Sequence, residues 1–84
     1  MAYRYVLDSG VAEAILSLSS RQRQGFIDIF RELAAHPFQH GEEAFRDSLG
    51  REIQKKAFGR WVVSYWADHA VSEVRIVGVQ KRKS

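Results

Sequence analysis

Residues 51–79 read REIQKKAFGRWVVSYWADHAVSEVRIVGV, and the periodicity of this stretch decides the fold. Over Arg51–Phe58, Ile53, Lys55 and Ala57 alternate with Glu52, Gln54, Lys56 and Phe58, the pattern of a strand with two unlike faces. Gly59 permits a turn. Trp61–Trp66 (WVVSYW) is dense in β-branched and aromatic residues, which suit a pleated, half-buried surface. Asp68-His69-Ala70 makes a short connection. Val74–Val79 (VRIVGV) is nearly continuous and apolar, as expected of a strand covered on both faces. Three strands joined this closely predict an antiparallel meander.

Upstream of this stretch the period changes. Tyr3–Leu7 (YRYVL) is a further strand, with Tyr3, Tyr5 and Leu7 on one face. Asp8 and Ser9 end it and offer side-chain oxygens to cap a helix. Val11, Ala14, Ile15 and Leu18 fall at i, i+3, i+4 and i+7, the stripe of a short amphipathic helix. Ser19 with Gln22 has the form of a capping box. A second helix is therefore predicted from about Arg21 to Ala35, with Phe26, Ile27, Phe30, Leu33 and Ala34 as its apolar stripe. It ends before Pro37, because a residue preceding proline avoids the α region. Residues 37–50 (PFQHGEEAFRDSLG) read as a loop with a helical turn near Glu42–Arg46, anchored to the core by Phe38, Phe45 and Leu49. The expectation is one α+β domain over residues 1–84. Its helical hairpin packs on one face of a small, mainly antiparallel sheet, in the order β-α-α-β-β-β.

Composition narrows the possible functions. The 84 residues are 45% hydrophobic and 12% aromatic, too apolar for a disordered chain. There is no cysteine, so no disulfide or thiolate metal site can staple the fold. No run approaches the ~18 apolar residues of a membrane span, and the first residues lack a signal peptide's apolar stretch, so the cytoplasm is the expected compartment. The net charge is +3 and unevenly spread. Residues 1–50 hold five Lys/Arg against seven Asp/Glu, whereas residues 51–84 hold eight against three. A basic second half implies either a directed positive surface or ordinary solubilising charge.

Lys55, Lys56, Arg60, Arg75, Lys81 and Arg82 all lie on or beside the meander. Side chains two residues apart share a strand face, so these cations are expected to converge where the helices do not cover the sheet. Arg75 interrupts an apolar strand, and an unpaired buried charge costs several kcal/mol. It must therefore reach solvent, meet a partner, or pair with Glu52 or Glu73. Trp61 and Trp66 are separated by an odd number and fall on opposite faces, one in the core and one available as a platform. His36 and His40 are split by Pro37, and with His69 they read as surface histidines. No metal site and no cofactor motif is legible, and there is no phosphate loop or nucleophile elbow.

The ordered set of features resembles the RelE/ParE superfamily of bacterial toxins. It comprises Leu33-Ala34-Ala35-His36-Pro37 at a helix end, Leu49-Gly50 before a basic strand, the strand Gly59-Arg60-Trp61-Val62-Val63-Ser64-Tyr65, and the ending Ile76-Val77-Gly78-Val79-Gln80-Lys81-Arg82. The resemblance covers essentially the whole chain, although no single motif is diagnostic. It implies a toxin neutralised by a co-expressed antitoxin. One branch of the family cleaves mRNA on the ribosome, and another inhibits DNA gyrase.

For the ribonuclease branch, the resemblance carries catalytic roles to Lys55, Lys56, Arg60 and Arg82. Arg75, Lys81, Trp61 and Tyr65 are then expected to bind substrate. Attack by a ribose 2′-OH on the adjacent phosphate needs a base, cations for the charge gathering on phosphorus, and an acid for the leaving 5′-oxygen. Two departures from the family pattern stand out. Arg60 precedes the aromatic residue where the family places an arginine after it. Lys83-Ser84 follow Arg82, where RelE-like ribonucleases carry tyrosine or histidine. Proton transfer would then fall to Glu52 or Tyr65, or the domain would bind without cleaving.

Overall fold

The computed structural model describes residues 2–82. The chain forms β1 (Arg4–Leu7), α1 (Ser9–Leu16), α2 (Ser20–Ala35), β2 (Glu43–Arg46), β3 (Glu52–Phe58), β4 (Trp61–Asp68) and β5 (Glu73–Lys81). The strands make one five-stranded sheet in the spatial order β1-β5-β4-β3-β2. β1 runs parallel to β5, and the other neighbours are antiparallel. The meander, both helices and the first strand fall where their periods predict. Gly59, with φ of +61°, takes the first of the two turn positions between Phe58 and Trp61, a conformation glycine adopts without penalty.

The helices pack through most of the predicted stripes, but Ala14 is exposed and Ile29 rather than Ile27 packs against the core. Val11 and Ile15 of α1 and Phe26, Phe30 and Leu33 of α2 bury against Val63, Tyr65, Val74 and Ile76 of the sheet. Phe30 and Leu33 are completely inaccessible, and each such side chain stabilises the fold by roughly 1.5–3 kcal/mol. Tyr5 and Trp61 extend this layer, their ring centroids 5.6 Å from Phe30 and 4.9 Å from Phe26. At the start of α2, the Ser19 side chain accepts a hydrogen bond from the Gln22 amide at 3.3 Å, as the capping pattern predicts. At α1 the expectation fails, because Asp8 holds the capping position without a side-chain hydrogen bond.

The helical turn expected near Glu42–Arg46 is corrected to strand β2. All four of its residues are exposed, so no buried face marks it in the sequence. Pairing fixes it instead. Glu43, Ala44, Phe45 and Arg46 stand opposite Lys55, Gln54, Ile53 and Glu52. The entry to β2 is equally dependent on β3: Gly41 donates its N–H to Gln54 Oε1 at 2.9 Å. A Cβ on Gly41 would collide with the Lys55 carbonyl. After β2, Asp47 accepts from the amides of Leu49 (3.0 Å) and Arg51 (2.9 Å), closing the turn to β3. The predicted core anchors Phe38, Phe45 and Leu49 are all exposed.

Candidate nucleic-acid interface

The two faces of the sheet carry different residues. Register puts Trp61 beside Phe58, Val63 beside Lys56 and Tyr65 beside Gln54, all toward the helices. The residues between them, Val62, Ser64 and Trp66, look the other way with Ile53, Lys55 and Ala57. This second face has no helix over it, and it holds the positively charged cleft.

That cleft, of about 600 Å³, is lined by Glu43, Lys55, Val62, Gln80, Lys81 and Arg82. Each residue has a structural reason to be there. Lys55 is held between Glu43 of β2 and Ser64 of β4. Arg82 is drawn across the β3–β4 turn because its amide donates to the Arg60 carbonyl at 2.6 Å. The Lys55 ammonium also lies 5.2 Å from the centroid of Phe45. Beside the cleft, the Glu42 carboxylate accepts a hydrogen bond from the Ala57 amide at 3.0 Å. That bond holds its carboxyl below the ordinary 4.5, and the charges of Lys56 and Arg82 add to the effect. The cleft therefore offers cations with one acceptor carboxylate in its lining and a second beside it, an arrangement chemically able to meet a phosphodiester.

The expected single cluster is corrected, because only part of it assembles. Lys55 and Arg82 meet in the cleft, with Lys81 at its margin, where its ammonium sits 6.0 Å from the Trp61 centroid. Arg60 is exposed in the turn and touches Arg82 through its backbone. Lys56 is on the other face of β3, although its charge still reaches Glu42 beside the cleft. It donates to Gln39 Oε1 and lies 5.8 Å from the Phe58 centroid, so strand alternation separates it from Lys55. Arg75 is spent on structure, donating to Glu73 Oε1 at 3.0 Å, while Arg4 donates to Oε2 of the same buried carboxylate at 2.7 Å. This is one of the pairings the sequence left open for Arg75.

Trp61 and Tyr65, expected at the substrate, lie instead in the helix-covered layer. Tyr65 is 2% exposed and its hydroxyl donates to the Gln39 carbonyl at 3.4 Å. Burial pushes this phenol up to about 12, which opposes a role in proton transfer near neutrality. Glu52 accepts from Gln54 Nε2 at 2.7 Å and lines a different hollow near His40 and Trp66. Glu42 and Glu43 carry no signal in the sequence, because β2 is exposed and is held only by pairing to β3. Trp66 is the tryptophan on the helix-free face, and the Arg51 guanidinium covers it at 4.8 Å. No cluster of three or more histidine, aspartate or glutamate side chains suited to a metal occurs among the described residues. Among them, too, no helix is long and apolar enough to cross a membrane.

A larger hollow, about 880 Å³, lies elsewhere, between β1 and the end of α2, lined by Tyr3, Tyr5, Ala34, Pro37 and Phe38 with Arg4 and Arg31. It is mainly apolar and holds none of the cleft's cations. It is a poor fit to a phosphate.

No family model matches this chain, and no curated protein does. Solved structures do. The RelBE2 toxin–antitoxin complex of Mycobacterium tuberculosis superposes with a TM-score of 0.77 at 18% identity, over 98% of this chain and 100% of that one. An archaeal RelE–RelB complex from Pyrococcus horikoshii gives 0.74 at 18% identity, over 98% and 97%. A mutant of E. coli toxin RelE in the free state gives 0.70 at 18% identity, over 96% and 84%. The fold is RelE-like along nearly the whole chain.

Proposed function

We propose that this chain is the toxin of a toxin–antitoxin pair and acts in the cytoplasm as a RelE-like endoribonuclease on ribosome-bound mRNA. The observation that carries the reading is the cleft on the helix-free face, whose lining brings together Lys55, Arg82 and Glu43. The RelE-like fold supports it. In this reading Lys55 and Arg82 hold the scissile phosphate and stabilise the charge that builds on its oxygens, an effect worth about 10²–10³-fold per well-placed donor. Glu43 accepts the proton of the ribose 2′-OH as its oxygen bonds to phosphorus. The bond to the 5′-oxygen breaks, leaving a 2′,3′-cyclic phosphate on one fragment. The departing oxygen takes its proton from the Lys55 ammonium or from water. Arg60 and Lys81 steer the polyanion at the margin, and Lys56 supports the fold from the other side. No cofactor or metal is required by this chemistry. The partner that silences the toxin is an antitoxin with acidic residues to meet the positive face.

A second reading is favoured by one observation: among the described residues the cleft contains neither tyrosine nor histidine. A toxin that binds protein, DNA gyrase in particular, or a non-catalytic member of the fold needs neither. Inducing the chain alone in bacteria and following translation, replication and mRNA ends separates these. The ribonuclease reading expects a rapid translation block with new ends inside translated messages. Intact messages with DNA damage would move the assignment to gyrase, and unaffected growth to a non-catalytic binder.

A further inference from the structure

Phe45 is out of place for a core aromatic. It lies on the edge strand β2, all of whose residues are exposed, and its own exposure is 45%. Several other aromatic rings pack in pairs, as Tyr5 with Phe30, Phe26 with Trp61 and Tyr3 with Phe38. Phe45 has no aromatic neighbour among the described residues. Its companion is the Lys55 ammonium, 5.2 Å from the ring centroid. It stands directly opposite Ile53 and two residues beyond Glu43, so it continues the cleft face by one row.

We infer that Phe45 is the seat of a nucleobase adjoining the phosphate that Lys55 holds, making the helix-free face a reader of bases as well as of charge. The inference rests on the RNA-directed reading above. In the free protein the ammonium rests over the ring. When a phosphate draws the ammonium away, the ring is left facing a cleft that already contains the strand. A flat apolar surface beside a cation is the arrangement by which single-stranded nucleic acid is held, the base by stacking and the backbone by charge. Any base has a face that stacks, so discrimination comes from stacking strength, and purines gain most.

The competing role for Phe45 is to cover Ile53, which is only 2% exposed on this face. Two variants separate cover from stacking. Phe45→Leu keeps an apolar cover and removes the aromatic face, whereas Phe45→Tyr keeps both. The first readout is binding of short single-stranded oligoribonucleotides, purine-rich and pyrimidine-rich, which does not depend on cleavage. The second is the distribution of mRNA ends from programmed ribosomes.

Phe45→Leu is expected to weaken oligonucleotide binding by about 5- to 150-fold, the range of one lost stack. It should also flatten the purine preference and broaden the base distribution next to the cut, with an unchanged melting temperature. Phe45→Tyr should behave as the parent. Equal binding by parent and Phe45→Leu, or equal impairment of both variants, would overturn the inference. If the parent cuts no message yet its RNA binding depends on Phe45, the base seat stands and the ribonuclease reading falls.

Discussion

The two faces of this sheet are made by the same strands and differ in almost every physical respect. On the helix-covered face, Val63, Tyr65 and Ile76 meet Phe30 and Leu33 in a buried layer, and even its lysine, Lys56, is tied to Gln39. On the helix-free face, one residue away in sequence, Lys55 opens into a cleft with Arg82 and Glu43. A step of one residue along β3 thus changes a lysine from a fastening of the fold into a group lining an open cleft. Position in the strand, more than residue type, decides whether a lysine fastens the fold or faces the cleft.

That division predicts different costs for damage on each side. The largest effect on stability should come from Phe30→Ala, a loss of about 3–5 kcal/mol in denaturant unfolding, because it opens a cavity in a fully buried layer. Lys55→Ala should move the same measurement by no more than about 0.5 kcal/mol. Comparable losses from both would mean that the faces are not distinct in this way.

Gly41→Ala tests the seam between loop and sheet. The new methyl would strike the Lys55 carbonyl, so a loss of about 1–3 kcal/mol is expected, with faster amide exchange along β2 and the edge of β3. Unchanged exchange would contradict the close approach on which the cleft's geometry depends.

The smallest effect concerns Glu73, which anchors Arg4 and Arg75 on the helix-free side of β5. Hydrogen bonding from Arg4 holds its carboxyl below 4.5, despite the opposing effect of burial, and the charges of Arg4 and Arg75 help. Its contribution is therefore complete above pH 4.5 and drains away as pH falls through the lower folded-state value. Glu73→Gln should flatten the acid limb of a stability–pH curve and leave neutral-pH recognition by the cleft intact. An unaltered acid limb would show that this carboxylate is not coupled to folding.

Much of the fold is legible in the sequence because period and burial agree. Phe26, Phe30 and Leu33 repeat at helical spacing and are buried, and Val63, Tyr65, Val74 and Ile76 occupy the covered sites of strands. β2 is not legible. Its four residues are exposed and are held by pairing to β3 and by the close approach of Gly41, neither of which leaves a periodic trace. The candidate site suffers from the same gap. Lys55 and Arg82 can be picked out as cations beside the meander, but Glu42, Glu43 and Phe45 sit on or next to β2, which has no periodic signal.

The adjacent lysines also show the limit of proximity in sequence. Alternation alone puts Lys55 and Lys56 on opposite faces, and expecting both at one phosphate overrode that rule. Arg75 teaches the complementary lesson. A charge in an apolar strand demanded an explanation, and a buried carboxylate two residues away supplies it.

The most direct test compares Lys55→Met with Lys56→Met for mRNA cleavage on programmed ribosomes, each variant first confirmed as folded. The account predicts that Lys55→Met loses about 10²–10³-fold in rate, whereas Lys56→Met stays near the parent rate. Full activity in Lys55→Met together with loss in Lys56→Met would place the chemistry on the other face and contradict it.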